Sequence, residues 1–245
     1  MPVLEIRLFA TLKDKVGQSR IQIELDSPTT VTELLKKVAA AYPQLESSLS
    51  TTLVSVNRNF AADDTAVSPG DEVAFFPPVS GGSQPPHPHP TYFAITADEL
   101  DINGIHQKIV GPDIGAIITF TGYVRGQTRR EGQPPETLYL EYEAYSEMAE
   151  ERMAQIAREI WERWPLVKGV AIVQRIGKLD ISDITTFVAC AAGHRDQGAF
   201  DAARYGIDRL KEIVPVWKKE VGQNNSLWVE GKYRPTPDDN LPTDR

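Results

Sequence analysis

Two short segments near the amino terminus place a polar residue at every second position. These are residues 4–8 and 21–25, in which apolar side chains alternate with charged or amide side chains. A period of two is typical of a half-buried strand. Gly17 lies in the polar stretch between the segments, so the pattern predicts a hairpin.

A helix and two further strands complete the first predicted domain. Thr30 and Glu33 stand at the spacing of a capping box, and apolar residues then repeat at helical spacing until Pro43. Short strands are predicted near residues 53–56 and 73–76. The order strand, strand, helix, strand, strand is the layout of a β-grasp, or ubiquitin-like, domain.

The rest of the chain mixes the two periods. Apolar runs predict strands at residues 116–120, 138–142, 170–173 and 186–192. One helix begins at Ser146, which can cap it, and has an apolar face made of Ala149, Met153, Ile156, Ile160 and Trp164. A second has the apolar series Phe200, Ala203, Ile207, Leu210 and Val214, and Pro215 ends it. This order predicts an α+β domain.

A proline-rich tract separates the two patterns. Residues 83–90 contain four prolines, which favour extended backbone and cannot join a sheet interior. We therefore predict a first domain over 1–82, a linker over 83–91 and a second domain over 92–245. His87 and His89 lie in this tract without other ligands nearby, so we expect no metal site there.

Composition excludes several classes of protein. The chain has 26 basic and 34 acidic residues and a net charge of −8, which argues against a nucleic-acid binder. No apolar segment approaches membrane-spanning length. Cys190 is the only cysteine and lies in an apolar run, so we interpret it as core packing and exclude an intrachain disulfide. We expect a soluble cytoplasmic protein.

A double glycine, Gly81-Gly82, ends the first domain. Having no side chains, it can thread a narrow slot, although it can also simply begin a flexible linker. The stretch 70–82 resembles the carboxyl-terminal end of the small, sulfur-carrying subunit of molybdopterin synthase. In that family the last glycine is adenylated and converted to a thiocarboxylate. The resemblance thus implies that Gly82 carries sulfur, but here Gly82 is bonded to Ser83.

Four segments of the second domain resemble the large, catalytic subunit of molybdopterin synthase. They are Phe120–Arg125, Leu140–Tyr145, Gly193–Arg195, and Leu210–Lys211 together with Pro215–Glu220. The chain therefore resembles a fusion of both subunits. It departs from the family at Gln174, where members often have a histidine, and since Gln174 does not titrate we leave it out of the catalytic set.

The resemblance implies an enzyme, a sulfurtransferase of molybdenum cofactor biosynthesis. Two sulfurs would enter cyclic pyranopterin monophosphate and form the dithiolene of molybdopterin. Lys211 and Lys218 match the family's active-site lysines; we expect Lys211 closest to the arriving glycine and Lys218 to orient or protonate the pterin. An unbroken helix would separate them by about 10 Å, but Pro215 lies between them, so we expect Lys218 to fold back from a turn.

A charged phosphate is a natural handle for the substrate. Arg125, His194 and Arg195 match the family's motifs, and we interpret them as the substrate-binding group. The transfer step calls for no bound cofactor or metal, since the sulfur donor is the thiocarboxylate on Gly82. Loading that sulfur requires a separate adenylating and sulfurating enzyme, because the chain has no nucleotide-binding glycine motif.

Three questions stay open in the sequence. One alternative function is a sulfur carrier or ubiquitin-like modifier with a non-catalytic second domain, and another is a phosphate-binding scaffold. The family suggests a homodimer, but whether Gly82 acts in its own chain or a neighbour's is not determined. Cleavage after Gly82, which would release a conventional small subunit, is a further hypothesis.

Overall fold

The computed structural model describes residues 3–77, 88–127, 136–223, 225–229 and four single positions, Tyr233, Pro235, Thr236 and Asp239. The chain divides into two compact units, 1–83 with 230–245, and 84–229. The division after residue 83 lies one residue from the predicted domain end at 82. It differs from the predicted bounds at the carboxyl terminus, where residues 230–245 group with the first unit.

The first unit is built on a mixed sheet. Its elements are β1 (Val3–Leu8), α1 (Ala10–Val16), β2 (Arg20–Glu24), β3 (Thr29–Thr30), α2 (Val31–Ala41), a 3-10 turn (Pro43–Leu45), α3 (Glu46–Leu49), β4 (Leu53–Val56), β5 (Asn59–Phe60), β6 (Ala66–Val67) and β7 (Val73–Phe76). Among these residues the main sheet has the order β2-β1-β7-β4-β5, with β1 and β7 parallel at its centre. This arrangement confirms the β-grasp prediction.

The capping box at α2 forms as predicted. Thr30 is the N-cap, and its hydroxyl accepts a hydrogen bond from the Glu33 backbone nitrogen at 3.4 Å. The hairpin of β1 and β2 is also confirmed. Its connection contains the unpredicted helix α1, which ends at Gly17 with φ of 78°, a left-handed conformation that glycine adopts without strain.

The second unit contains two further sheets. Its elements are β8 (Thr91–Thr96), α4 (Ile102–Ile109), β9 (Ala116–Tyr123), β10 (Tyr139–Ala144), α5 (Ser146–Arg163), β11 (Val167–Arg175), β12 (Gly177–Asp180), β13 (Ile184–Ala192), α6 (Ala199–Ile213), β14 (Val216–Val221) and β15 (Ser226–Val229). Within the described ranges the orders are β8-β11-β13-β9 and β12-β10-β14-β15. The α+β prediction is confirmed.

Helices cover both faces of the β8-β11-β13-β9 sheet. Alternate residues of β13, including Val188 and Cys190, face the core shared with α5 and α6, while Phe187 and Ala189 face the core shared with α4. A strand that is buried on both faces reads as a continuous apolar run, as this one does. Burial raises the pKa of the Cys190 thiol to about 12, and the residue is core packing as predicted.

Two local predictions were wrong. Ser146 is the first residue of α5 and not its cap, because Tyr145 holds the N-cap position without a side-chain hydrogen bond. Phe200 is 60% exposed, because the inward face of α6 begins at Ala199 and continues through Ala203. The predicted helix end before Pro215 is confirmed, since α6 stops at Ile213.

In the described part of the chain, no helix combines the length and the apolar character needed to cross a membrane.

Candidate active site

Lys211 and Lys218 lie near each other although the helix between them is broken. Lys211 is in the last turn of α6, and Lys218 is in β14, which begins immediately after Pro215. The sequence predicted a turn at Lys218 but not the strand that holds it. Burial lowers the pKa of Lys211 to about 8, and the positive charge of Lys218 adds to this effect.

Lys211 combines an exposed residue with a desolvated amine. The residue as a whole is exposed, yet protein atoms surround its amine closely enough to desolvate it. A ligand can therefore reach the amine, while water hydrates its charge poorly. An accessible lysine that loses its proton near neutral pH is suited to act as a base or nucleophile.

Two buried polar residues lie behind this amine. The Lys211 Nζ is 3.5 Å from the Thr186 hydroxyl oxygen, and that hydroxyl donates to Gln174 Oε1 at 2.6 Å. Gln174 and Thr186 are fully buried and face each other across β11 and β13. Neither Gln174 nor Thr186 was among the predicted site residues, although a glutamine within an apolar strand is a signal for a buried polar contact.

Lys218 lies beside a tyrosine on the neighbouring strand. Tyr142 of β10 pairs with Lys218 in the antiparallel register of β10 and β14. Burial raises the pKa of Tyr142 to about 12; a hydrogen bond with Thr185 acts in the opposite direction, and the charge of Glu220 adds to the increase. Tyr142 therefore keeps its proton over the physiological range. The Glu220 carboxylate is buried and accepts a hydrogen bond from the Thr137 hydroxyl.

Arg125 lies at the same end of the β8-β11-β13-β9 sheet as the two lysines. It follows the last residue of β9, Tyr123, which pairs with Ile184 at the start of β13. The neighbouring Val124 nitrogen donates to the Asp183 carbonyl at 2.9 Å. Arg125 is exposed, and no described side chain pairs with its guanidinium, so it is available to an anionic ligand.

His194 and Arg195 lie at the opposite end of β13. They follow its last residue, Ala192, whereas the Lys211 contact is at Thr186 near its start. At a rise of about 3.3 Å per residue, the stretch of β13 from Thr186 to Ala192 alone spans roughly 20 Å. One chain therefore does not bring all the predicted site residues together.

An acidic residue holds the His194 ring. The Nδ1 atom lies 2.7 Å from Asp196 Oδ1, and Nε2 lies 3.2 Å from Arg195 Nη1. Since both Asp196 and Arg195 have fixed roles as acceptor and donor, the neutral ring carries its proton on Nδ1. The hydrogen bond from His194 lowers the pKa of Asp196. All three side chains are exposed.

Two residues of interest lie outside the described ranges. These are Gly82, the predicted sulfur carrier, and His87 of the linker. The ring of His89 packs edge-on against Trp161, with ring centroids 5.3 Å apart. In the described ranges, no cluster of three or more His, Cys, Asp or Glu residues is arranged to hold a metal ion.

Two family models match the chain, one for each predicted domain. The ThiS family matches residues 6–82, a range that ends at Gly82. The MoaE protein family matches residues 95–213. The second match includes Arg125, His194, Arg195 and Lys211 and ends before Lys218.

Several proteins similar to the second domain are molybdopterin synthase catalytic subunits. A molybdopterin synthase catalytic subunit from Halalkalibacterium halodurans is 44% identical over 144 residues, which are 59% of this chain and 88% of the relative. One from Staphylococcus carnosus is 42% identical and matches 60% of this chain and 93% of its own length. The crystal structure of molybdopterin synthase from Staphylococcus aureus has 42% identity and a TM-score of 0.51, with 56% of this chain and 96% of that chain covered.

Proposed function

The chain belongs to the molybdopterin synthase catalytic-subunit family and carries a ThiS-family domain in the same polypeptide, and from this premise we propose that it is a fused molybdopterin synthase. It would transfer sulfur from a thiocarboxylate on Gly82 to cyclic pyranopterin monophosphate. The observation that carries this proposal is the Lys211 amine, which is accessible and has a pKa of about 8 beside Lys218.

The reaction exchanges sulfur for oxygen without electron transfer. In each of two turns, the thiocarboxylate sulfur attacks a pterin carbon, a C–S bond forms, and the oxygen on that carbon leaves with a proton. Water then adds to the acyl carbon of Gly82 and the acyl C–S bond breaks. Sulfur remains on the pterin and the glycine returns as a carboxylate.

The two lysines would divide the proton transfers. Neutral Lys211 accepts the proton of the attacking water at the acyl carbon, which suits an amine with a pKa near the operating pH. Lys218 keeps its proton, orients the pterin and protonates the departing oxygen. The mutual repulsion of two nearby ammonium groups favours this division, because it makes one of them easier to deprotonate.

Arg125, His194 and Arg195 would bind the phosphate, which implies a second copy of the chain. His194 and Arg195 lie beyond the end of β13, which is roughly 20 Å long from the lysine contact at Thr186 to Ala192, so they serve the same substrate only if a partner supplies them. Exposed aromatic side chains on the edge strand β9 and on α6 support such a homodimer: Phe120, Tyr123 and Phe200.

The sulfur donor and its supply follow from the same proposal. The transfer step needs no bound cofactor, since the sulfur arrives already activated on Gly82. A separate enzyme that adenylates and sulfurates the glycine would load it. Loading requires a free carboxylate, so we propose that the chain is cleaved between Gly82 and Ser83.

A sulfur carrier or ubiquitin-like modifier with a non-catalytic second domain is the alternative. It offers no reason for a lysine with a lowered pKa beside a second lysine in the second domain. The two functions differ in one requirement. A carrier needs Gly82 alone, whereas a synthase needs both Gly82 and Lys211.

Replacement of Lys211 tests the proposal. We expect Lys211→Ala to lower molybdopterin formation at least about a hundredfold, because the acid–base group is lost, and to leave the melting temperature no lower than that of the wild type. Molybdopterin is measured after cyclic pyranopterin monophosphate and a sulfurated donor are added to the purified protein. Lys168→Ala is the matched control, since Lys168 is an exposed lysine paired with Asp113 at 3.4 Å. Near-normal turnover by Lys211→Ala would remove the proposed role.

A further inference from the structure

We propose that Thr186 and Gln174 are positioning residues that hold the Lys211 amine in place through one directed chain of hydrogen bonds. The chain runs from the Lys211 Nζ to the Thr186 hydroxyl at 3.5 Å and from there to Gln174 Oε1 at 2.6 Å. The inference deepens the proposed function, since it gives the acid–base lysine a fixed orientation.

The orientation of the buried Gln174 amide fixes the direction of these hydrogen bonds. Gln174 Nε2 lies 2.8 Å from each of two backbone carbonyl oxygens, those of Arg175 and Thr185. Carbonyl oxygens only accept hydrogen bonds, so the amide nitrogen must face them and Oε1 must face Thr186. The Thr186 hydroxyl therefore uses its one hydrogen on Gln174. Its lone pairs remain for donors, and the Lys211 amine is one of them.

Burial makes this orientation difficult to change. Gln174 is fully buried and Thr186 is 1% exposed, so neither side chain exchanges its partner for water. A buried polar group that lost its partner would be strongly disfavoured. The Thr185 hydroxyl oxygen lies 3.3 Å from both the Thr186 hydroxyl oxygen and the Gly122 carbonyl oxygen. The acceptor that meets Lys211 is thus part of the rigid sheet and not of a mobile surface side chain.

The surrounding charges indicate what Thr186 does for the lysine. From β14, Lys218 faces Lys211 and disfavours its charged form. From β10, Tyr142 is neutral, and Glu220 acts on that tyrosine. From β11, the Arg175 guanidinium points away, to the Ile184 carbonyl at 3.3 Å. Thr186 is a neutral acceptor for the Lys211 amine, and we expect its loss to lower the pKa of that amine further.

Amine labelling of the full chain tests this without relying on catalysis. The rate at which acetic anhydride modifies Lys211 is measured by mass spectrometry across pH, and the midpoint gives the pKa of the amine. We expect Thr186→Val and Thr186→Ala to lower that midpoint by about one unit, because the acceptor is lost. Thr186→Ser keeps the hydroxyl and should stay within about 0.2 unit of the wild type.

A double-mutant cycle tests the part played by Gln174. Gln174→Met removes the group that orients the Thr186 hydroxyl, so alone it should shift the Lys211 midpoint downwards. The double variant Gln174→Met, Thr186→Val should have a midpoint close to that of Thr186→Val alone, because both changes remove the same series of hydrogen bonds to Lys211. Independent, additive shifts would overturn the proposed coupling. Melting temperatures are recorded for each variant, so that a loss of fold is recognised.

Turnover separates positioning from substrate binding. We expect Thr186→Val to lower kcat about tenfold while KM for the pterin changes less than about twofold, and Thr186→Ser to restore kcat. An unchanged labelling midpoint in both Thr186→Val and Thr186→Ala would overturn the inference, whatever the activity. If wild-type protein forms no molybdopterin while the midpoint still shifts, the proposed function fails and the positioning of Lys211 stands.

Discussion

The two ends of strand β13 carry similar residue types in opposite environments. At its start, Thr186 meets the amine of Lys211, which is desolvated and close to the charge of Lys218. Beyond its end, His194 and Arg195 are exposed, and the partner that holds the histidine ring is the exposed Asp196. We call these the lysine end and the histidine end.

This difference in burial suits the two ends of one strand to different chemistry. Burial at the lysine end destabilises a positive charge and so makes a proton available near neutral pH. At the histidine end the exposed guanidinium of Arg195 is open to a phosphate ligand. In the proposed dimer, the lysine end of one chain and the histidine end of another form one site.

Mixed dimers give the largest effect. Lys211→Ala removes the lysine end and Arg195→Ala removes the histidine end, so each variant alone should lose most molybdopterin formation. Co-expressed in one cell, the two variants should recover about a quarter of wild-type activity, because half the dimers are mixed and each mixed dimer has one intact site. The measurement is molybdopterin formed per milligram of co-purified protein.

The co-expression experiment has a matched control. Two copies of Lys211→Ala that carry different affinity tags, purified in the same way, should show no recovery. If the mixed preparation is no more active than the sum of its parts, the two ends do not meet in one site, and the proposed dimer is wrong.

The pH dependence of kcat should distinguish the lysine end from the histidine end, and its expected effect is the second largest. Because the pKa of Lys211 is about 8 and the neutral amine is the active form, kcat should rise as pH increases through 8. Between pH 7 and 8 the expected increase is about fivefold. Arg195→Ala should show the same rise of kcat with pH, at lower overall activity. A rate that falls as pH rises through 8 would instead assign the reaction to the ammonium form.

The smallest expected effect is the change in protein stability when Lys211 is replaced. The pKa of Lys211 is near 8 in the folded chain and 10.5 when unperturbed, so the unfolded state binds the proton more tightly. The resulting destabilisation is complete below pH 8 and disappears as pH rises to 10.5. Lys211→Met should therefore raise the melting temperature at pH 7 by about one to two degrees, a modest gain because solvent still reaches the residue.

The same measurement at the histidine end provides the comparison. Arg195 is exposed, so Arg195→Ala should leave the melting temperature within about one degree of the wild type at pH 7. Calorimetry of both variants at pH 7 and pH 10.5 checks the prediction. A Lys211→Met variant that is less stable than the wild type at pH 7 would show that the lysine stabilises the fold.

Local chemistry in the sequence predicted much of the fold. Thr30 and Glu33 indicated the start of α2, and Pro215 indicated the end of α6, because each acts on the backbone within one turn. Helix α4 and strand β8 were missed. Both faces of β8 pack against helices, so the strand lacks the alternation that identifies a half-buried strand.

The family resemblance supplied candidate members of the site but not their arrangement. Family motifs pointed to Lys211, Lys218, Arg125, His194 and Arg195, and no sequence pattern indicated that the last two lie at the far end of β13. Gln174 and Thr186 are 12 positions apart in the chain and become neighbours only through the register of β11 and β13. Pairing between strands is a long-range property that periodicity does not report.

Mass spectrometry of protein taken directly from cells determines whether Gly82 becomes a free, sulfurated carboxyl terminus. We expect a fragment that ends at Gly82 and carries sulfur in place of one carboxyl oxygen. When cyclic pyranopterin monophosphate is added, that mass should return to the oxygen form as molybdopterin appears, with two fragments converted for each product. Active preparations that contain only the uncleaved 245-residue chain, or a sulfurated fragment that persists while product forms, would contradict this expectation.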